Sequence, residues 1–328
     1  MTTTCNYAAQ TSACDRQTIN SKSFPTKFVT RSIQWFLALS LYLLASNISA
    51  QPYENLNELK GYKTETYFSS GAEAKAKRMA TQLDRVMSFY NQHLGFTPSV
   101  TLLILSPMDW TSYTKFPFYG MPHYTSNKTL VVASEDNDYW KSMLPPLDKI
   151  PKEYAQAFAE TYSNQNNQLT MEPFFDLLAV HELGHAYHNQ GGLVMQRKWM
   201  GELFCNILLH SYIAEAEPEL LKALTIFPKM VVATTDKSAL KYTTLEDLET
   251  YYSEIGPKYP QNYGWYQCRW HIAAGKIYDS SKMKGIENLW STLKSQREIL
   301  NDADFAELLA SKVHQSVADV QLKWNEAD

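Results

Sequence analysis

The chain is poor in the features that mark special classes. Twelve glycines and 14 prolines in 328 residues exclude collagen-like and Pro/Gly-rich low-complexity proteins. Four cysteines are too few for a disulfide-stapled scaffold of this length. Basic charge is not in excess: 30 Lys+Arg against 34 Asp+Glu give a formal net charge of −4. That removes the electrostatic footprint of a nucleic-acid binder. No internal repeat is visible. No apolar run reaches the roughly 20 residues that a membrane-spanning helix needs. What remains is an ordinary globular composition, 45% hydrophobic and 20% charged, with length for one large or two modest domains.

The first 50 residues differ from the rest. They hold four basic residues (Arg16, Lys22, Lys27, Arg31) and one acidic residue, Asp15. An apolar run of about 13 residues follows, Ile33 to Ala45, and then small residues up to Ala50. Positive region, short apolar region and small-residue cleavage site are the order of a secretory signal. Residues 1–50 are therefore expected to be a leader cleaved near Ala50, which makes the protein exported, periplasmic or extracellular. An uncleaved N-terminal membrane anchor is the alternative. The positive region is long, and a start nearer Val29 would shorten it. Without residues 1–50, Lys+Arg falls from 30 to 26 and Asp+Glu from 34 to 33, so the mature chain carries about −7. Cys205 and Cys268 remain, either as one disulfide or as two buried thiols.

The mature chain divides into two parts by pattern. Residues 51–170 form an expected α+β subdomain. Residues 72–94 place Met79, Leu83, Val86 and Tyr90 at helical spacing, and Gly95 ends that helix. Ser99–Leu105 and Thr129–Ala133 read as strands, and residues 107–127 as a long loop between them. Strand 129–133 is either a sheet edge onto which an extended substrate would add or an ordinary buried strand. Residues 171–328 read as mostly helical. Strands first and helices later give an α+β fold rather than alternating βαβ units.

The chemistry lies in residues 174–190, FFDLLAVHELGHAYHNQ, closed by Gly191 and Gly192. Phe174, Leu177, Leu178 and Val180 put the segment on a largely buried helix. Inside it stands HELGH: His181, Glu182 and His185. Histidines at i and i+4 lie one above the other on one helical face, the spacing that puts two imidazole nitrogens on one Zn²⁺. Glu182 is one step round the helix, placed to reach the attacking water rather than the metal. The extended pattern HExxHxxGxxH fails, because positions 188 and 191 hold His and Gly. His188 shares the face of the other two histidines but is about a turn too far along for the same metal. It is expected against the helix C-terminal dipole. The third ligand is then a glutamate on the following helix, 198–216, where Glu202 lies 17 residues beyond His185. Asn206, one turn later, would orient a ligand histidine. Glu215, Glu217 and Glu219 are fallback ligands.

HELGH (181–185) and GELFCN (201–206) resemble the gluzincins, the zinc peptidases related to thermolysin and the aminopeptidase N family. The resemblance covers about 35 residues. It implies a zincin-like α+β fold with the active-site helix between its two parts. His181, His185 and Glu202 become the zinc ligands and Glu182 the general base. Two departures are visible. Thermolysin-like enzymes carry aspartate where this chain has Asn206. The aminopeptidase GxMEN segment is absent from YGMPHYTSNKTLVVAS, which argues against a simple aminopeptidase.

Hydrolysis also needs a donor to the developing oxyanion. Tyr263, 61 residues past Glu202, stands about where aminopeptidase-like families place a catalytic tyrosine; Tyr266 and His271 are substitutes. The expectation is an exported zinc metallopeptidase with a peptide or protein substrate, no nucleic-acid partner and no stable membrane span in the mature chain. A zincin-like shell that binds metal or peptide without cleaving is the alternative. A helical di-iron protein needs a second ExxH, and none is present.

Overall fold

The computed structural model describes residues 53–144 and 149–326. The expected leader, its cleavage site, Pro145 and Pro146 lie outside the described residues. Five short strands come first: β1 (Asn57–Leu59), β2 (Glu65–Phe68), β3 (Thr101–Leu105), β4 (His123–Tyr124) and β5 (Thr129–Ala133). They form one sheet in the order β1-β2-β3-β5-β4. β2, β3 and β5 run parallel, and β1 and β4 are antiparallel outer strands, so the sheet is mixed. Helix α1 (Glu73–Leu94) crosses over from β2 to β3. Its Met79, Leu83, Val86 and Tyr90 are all buried, as their spacing predicts. Each such side chain contributes about 1.5–3 kcal/mol. Gly95 ends α1 at φ +63°, a left-handed position that a residue without Cβ adopts freely.

In the segment between β3 and β5 the long-loop expectation fails, and of the two readings of strand 129–133 the buried one holds. Residues 107–127 are not one loop: α2 (Pro107–Tyr113) opens it, with Ser106 accepting the Asp109 N–H as its cap. β4 follows, and it covers the outer side of β5. Thr129–Ala133 is therefore an interior strand, buried along its whole length, and the sheet edge is β4. β1, β2 and β4, of three, four and two residues, are too short to show an alternation in the sequence.

From residue 134 onward the chain is helical: α3 (Asp138–Ser142), α4 (Lys152–Thr161), α5 (Glu172–Gln190), α6 (Lys198–Ala216), α7 (Leu221–Thr234), α8 (Leu245–Lys258), α9 (Pro260–Ser295), α10 (Asp302–Leu308) and α11 (Gln315–Leu322). Among the described residues no helix is long and apolar enough to cross a membrane. From Asn55 the chain is a single compact unit, α+β and mostly helical. α5 sits at its centre, against the sheet on one side and α6 and α7 on the other. Pro173 occupies its first turn, where no N–H is needed. The buried Lys75 of α1 pairs with Asp176 at 2.7 Å and ties down that first turn. At the other end a Cβ on Gly191 would lie 2.3 Å from the Trp290 ring of α9, so only glycine lets that ring close over the helix end. The Tyr90 hydroxyl of α1 donates to the Leu208 carbonyl of α6 at 2.6 Å, fixing α6 against α1.

Candidate metal centre

α5 carries HELGH as a regular helix, so His181 and His185 project from one face. What they meet depends on how closely α6 approaches. The closest approach is at Gly184. A Cβ there would lie 2.9 Å from both Cα and Sγ of Cys205. With no side chain in the way, α6 lies against α5, and the Glu202 carboxylate comes to face the two rings. Glu202 Oε2 is 3.3 Å from His181 Nε2 and 3.9 Å from His185 Nε2.

Glu202 is 3% exposed, and among the described residues its ion-pair partners are those two histidines. Among the described residues no lysine or arginine balances it. Two neutral donors hold it instead: the Tyr252 hydroxyl donates to Oε1 at 2.5 Å and the Gln267 amide to Oε2 at 2.7 Å. Burial opposes the charge, but His181, His185 and Tyr252 together hold the carboxyl well below its ordinary range. Burial also opposes a charged His181, yet the adjoining Glu202 and Glu182 carboxylates raise its pKa. A buried carboxylate facing two imidazoles, without a permanent cation, is a donor set suited to a divalent metal.

The hydrogens of this network can be assigned by elimination. Asn206 Nδ2 faces two acceptors, the Glu202 carbonyl at 3.1 Å and Gln267 Oε1 at 3.3 Å. Its Oδ1 therefore faces His181 Nδ1, 3.2 Å away, and His181 donates through Nδ1. In the neutral ring this leaves the Nε2 lone pair toward Glu202. Asparagine suits this position, because it donates in two directions and accepts in a third. An aspartate could not donate.

Glu182 and His185 are part-exposed, whereas His181 and Glu202 are buried. Glu182 does not join the Glu202 cluster. Its Oε2 accepts the backbone N–H of Tyr124 on the edge strand β4 at 2.9 Å. A part-exposed carboxylate is thus anchored by one oxygen at the sheet edge.

Of the three candidate oxyanion donors, one lies in this network. The Tyr263 hydroxyl accepts from the same Gln267 amide at 2.9 Å, one step from Glu202. Burial, then the nearby Glu202, keeps the phenol protonated. The Tyr266 hydroxyl donates instead to the Thr244 carbonyl. His271 packs on Phe174 with its ring centroid 6.4 Å from that of His181, and burial holds it neutral. The fallback ligands lie elsewhere: Glu215 accepts from Tyr278, Glu217 from Tyr212 and Gln82, and Glu219 is exposed.

His188 stands in the last turn of α5, as expected, and makes a further contact. Its Nε2 lies 3.0 Å from His185 Nδ1. Burial, then the neighbouring His185, pushes its pKa down to about 3. Cys205 Sγ also lies 3.4 Å from His185 Nδ1, and His181, His185 and Cys205 form a second group that could hold a metal. Glu202 and Cys205 approach the two histidines at different ring nitrogens. Cys205 approaches the His185 nitrogen that His188 also engages, whereas Glu202 faces Nε2 of both histidines. Cys205 and Cys268 are both free, buried thiols, so they form no disulfide with each other.

The sequence reading missed Tyr252 and Gln267. Gln267 stands one turn after Tyr263 on α9, so it was within reach of a helical argument. Tyr252 was not: it follows a break at Tyr251, where φ −112° and ψ 19° kink α8. No family model, curated protein or solved structure matches the chain.

Proposed function

We propose that the protein is a zinc-dependent metallopeptidase of gluzincin type, with a zincin-like arrangement in which the HELGH helix lies beneath the sheet edge β4. One observation carries the reading: Nε2 of His181 and of His185 both face the buried, anionic Glu202, while Glu182 stands apart at the edge strand. His181, His185 and Glu202 would hold the metal, leaving a further position open, as catalytic zinc sites do. When bound, zinc lowers the pKa of water and polarises the scissile carbonyl.

The chain's own groups supply the rest. Glu182, steadied by the Tyr124 N–H, takes a proton from the attacking water and passes it to the leaving amine. Tyr263 donates to the tetrahedral oxyanion. Tyr252 and Gln267 hold the Glu202 carboxylate, and Asn206 holds the His181 ring. An extended peptide would lie along β4, the half-buried edge strand above Glu182.

Metal analysis of the purified full-length protein, coupled to cleavage profiling on a mixed peptide library, tests the reading. Stoichiometric zinc with chelator-sensitive cleavage is expected. Zinc without cleavage would favour the second reading, a zincin-like shell that only binds. Neither zinc nor cleavage would overturn both.

A further inference from the structure

His188 follows His185 by three residues and therefore stands beside it on the same face of α5. The two rings meet near edge to face, 5.2 Å between centroids at 75°, with His188 Nε2 at 3.0 Å from His185 Nδ1. The ring of Phe204 on α6 packs edge-on against His188 at 6.2 Å. The contact is made on the His185 nitrogen that does not face Glu202.

That contact has a consequence for the other nitrogen. A neutral imidazole carries one N–H. If His185 accepted from His188, its own proton would sit on Nε2 and no lone pair would face Glu202. If His185 donates from Nδ1 to His188 Nε2, its Nε2 lone pair is open toward Glu202. Only the second arrangement makes His185 a ligand. The other neighbour of Nδ1, Cys205 Sγ at 3.4 Å, is a weak acceptor and a poor substitute. Asn206 performs the same service for His181 from α6. For His185 the partner comes from its own helix.

We propose that His188 is a positioning residue: by accepting the Nδ1–H of His185 it fixes that ligand's tautomer and ring angle, and so tightens zinc binding. This rests on the zinc reading and adds a requirement for a residue that touches neither metal nor substrate.

Zinc affinity of full-length wild-type, His188→Leu and His188→Gln proteins, measured by competition with a chromophoric chelator, tests it. Leucine offers no acceptor, and affinity is expected to fall about 10–100-fold. Glutamine can accept through Oε1 and should recover most of that loss, while thermal unfolding of all three in chelator stays alike. Ring ¹⁵N shifts of the zinc-loaded wild-type protein give a check independent of any variant: His185 should carry its proton on Nδ1 and its metal on Nε2. Metal on Nδ1, or equal affinity of wild type and His188→Leu, overturns the proposal alone. A wild-type protein that binds no zinc overturns the metallopeptidase reading and this proposal with it.

Discussion

The backbone N–H of Tyr124 donates to the Glu182 carboxylate at 2.9 Å, joining the sheet edge to the middle of the HELGH helix. Glu182 is thereby held by main chain, not by a side chain that rotates. Replacing it with Gln keeps the shape and removes the base. Glu182→Gln is expected to retain zinc while peptide hydrolysis falls about 10²–10⁴-fold. Zinc content and kcat on one reporter peptide measure both; unchanged kcat would sink the mechanism. Tyr124→Pro removes that N–H at an edge where proline is tolerated, together with the phenol that accepts from Gln190 at 3.0 Å, so Tyr124→Phe serves as its control. The proline variant should lower kcat and leave zinc affinity alone.

The two possible donor sets separate by substitution. Glu202→Ala should abolish zinc binding, whereas Cys205→Ala should leave it unchanged. Isothermal titration of both variants decides; the reverse result would assign the site to the His181/His185/Cys205 group. Tyr252→Phe removes one hydrogen bond to Glu202 and is expected to weaken zinc about 10–100-fold.

Gly184→Ala should destabilise the fold. Helix propensity favours alanine by about 1 kcal/mol. The added Cβ, however, meets the Cys205 backbone at 2.9 Å, and that cannot swing aside. Overpacking of this kind costs about 1–3 kcal/mol and would move α6 with its Glu202. Urea unfolding gives the sign; a stabilised variant would refute the close-approach argument.

Acid should loosen α8 at its N-terminus. Partial burial works against the charged Asp247, but the Thr243 and Thr244 N–H groups and the Thr244 hydroxyl outweigh it and lower its pKa. A carboxyl depressed on folding stabilises fully above its unfolded pKa, and the contribution is lost as pH falls through the lower folded value. Urea midpoints between pH 6 and pH 3 should fall less steeply in Asp247→Asn than in wild type. Because α8 carries Tyr252, the hold on Glu202 should weaken over the same acid range. Equal slopes would dismiss Asp247 as a source of acid sensitivity.

The sequence was a good guide wherever the determining interactions are local. α1 was legible from four apolar residues at helical spacing and a closing glycine, since each lies within a turn or two of the next. The α+β order was legible for the same reason. β1, β2 and β4 were not, because a strand of two to four residues is specified by its neighbours in the sheet. The sequence consequently left β5 open as edge or buried strand, and it is β4 that holds the edge. At the site, Tyr263 was approached by family spacing, while Tyr252 depends on a kink in α8 that no local pattern marks.

By itself the sequence determined the relative placement of His181, Glu182, His185 and His188, because the helical period fixes residues three and four apart with no help from the rest of the chain. Tertiary structure decided what each meets. The α5–α6 approach at Gly184 brings Glu202 to the two Nε2 atoms, and α6, α8 and α9 supply Asn206, Tyr252 and Gln267. β4 supplies the N–H for Glu182. These contacts join residues 17 to 65 positions apart in the chain. They exist only because side chains from separate helices pack at one distance and not another, and no periodicity in the sequence encodes that distance.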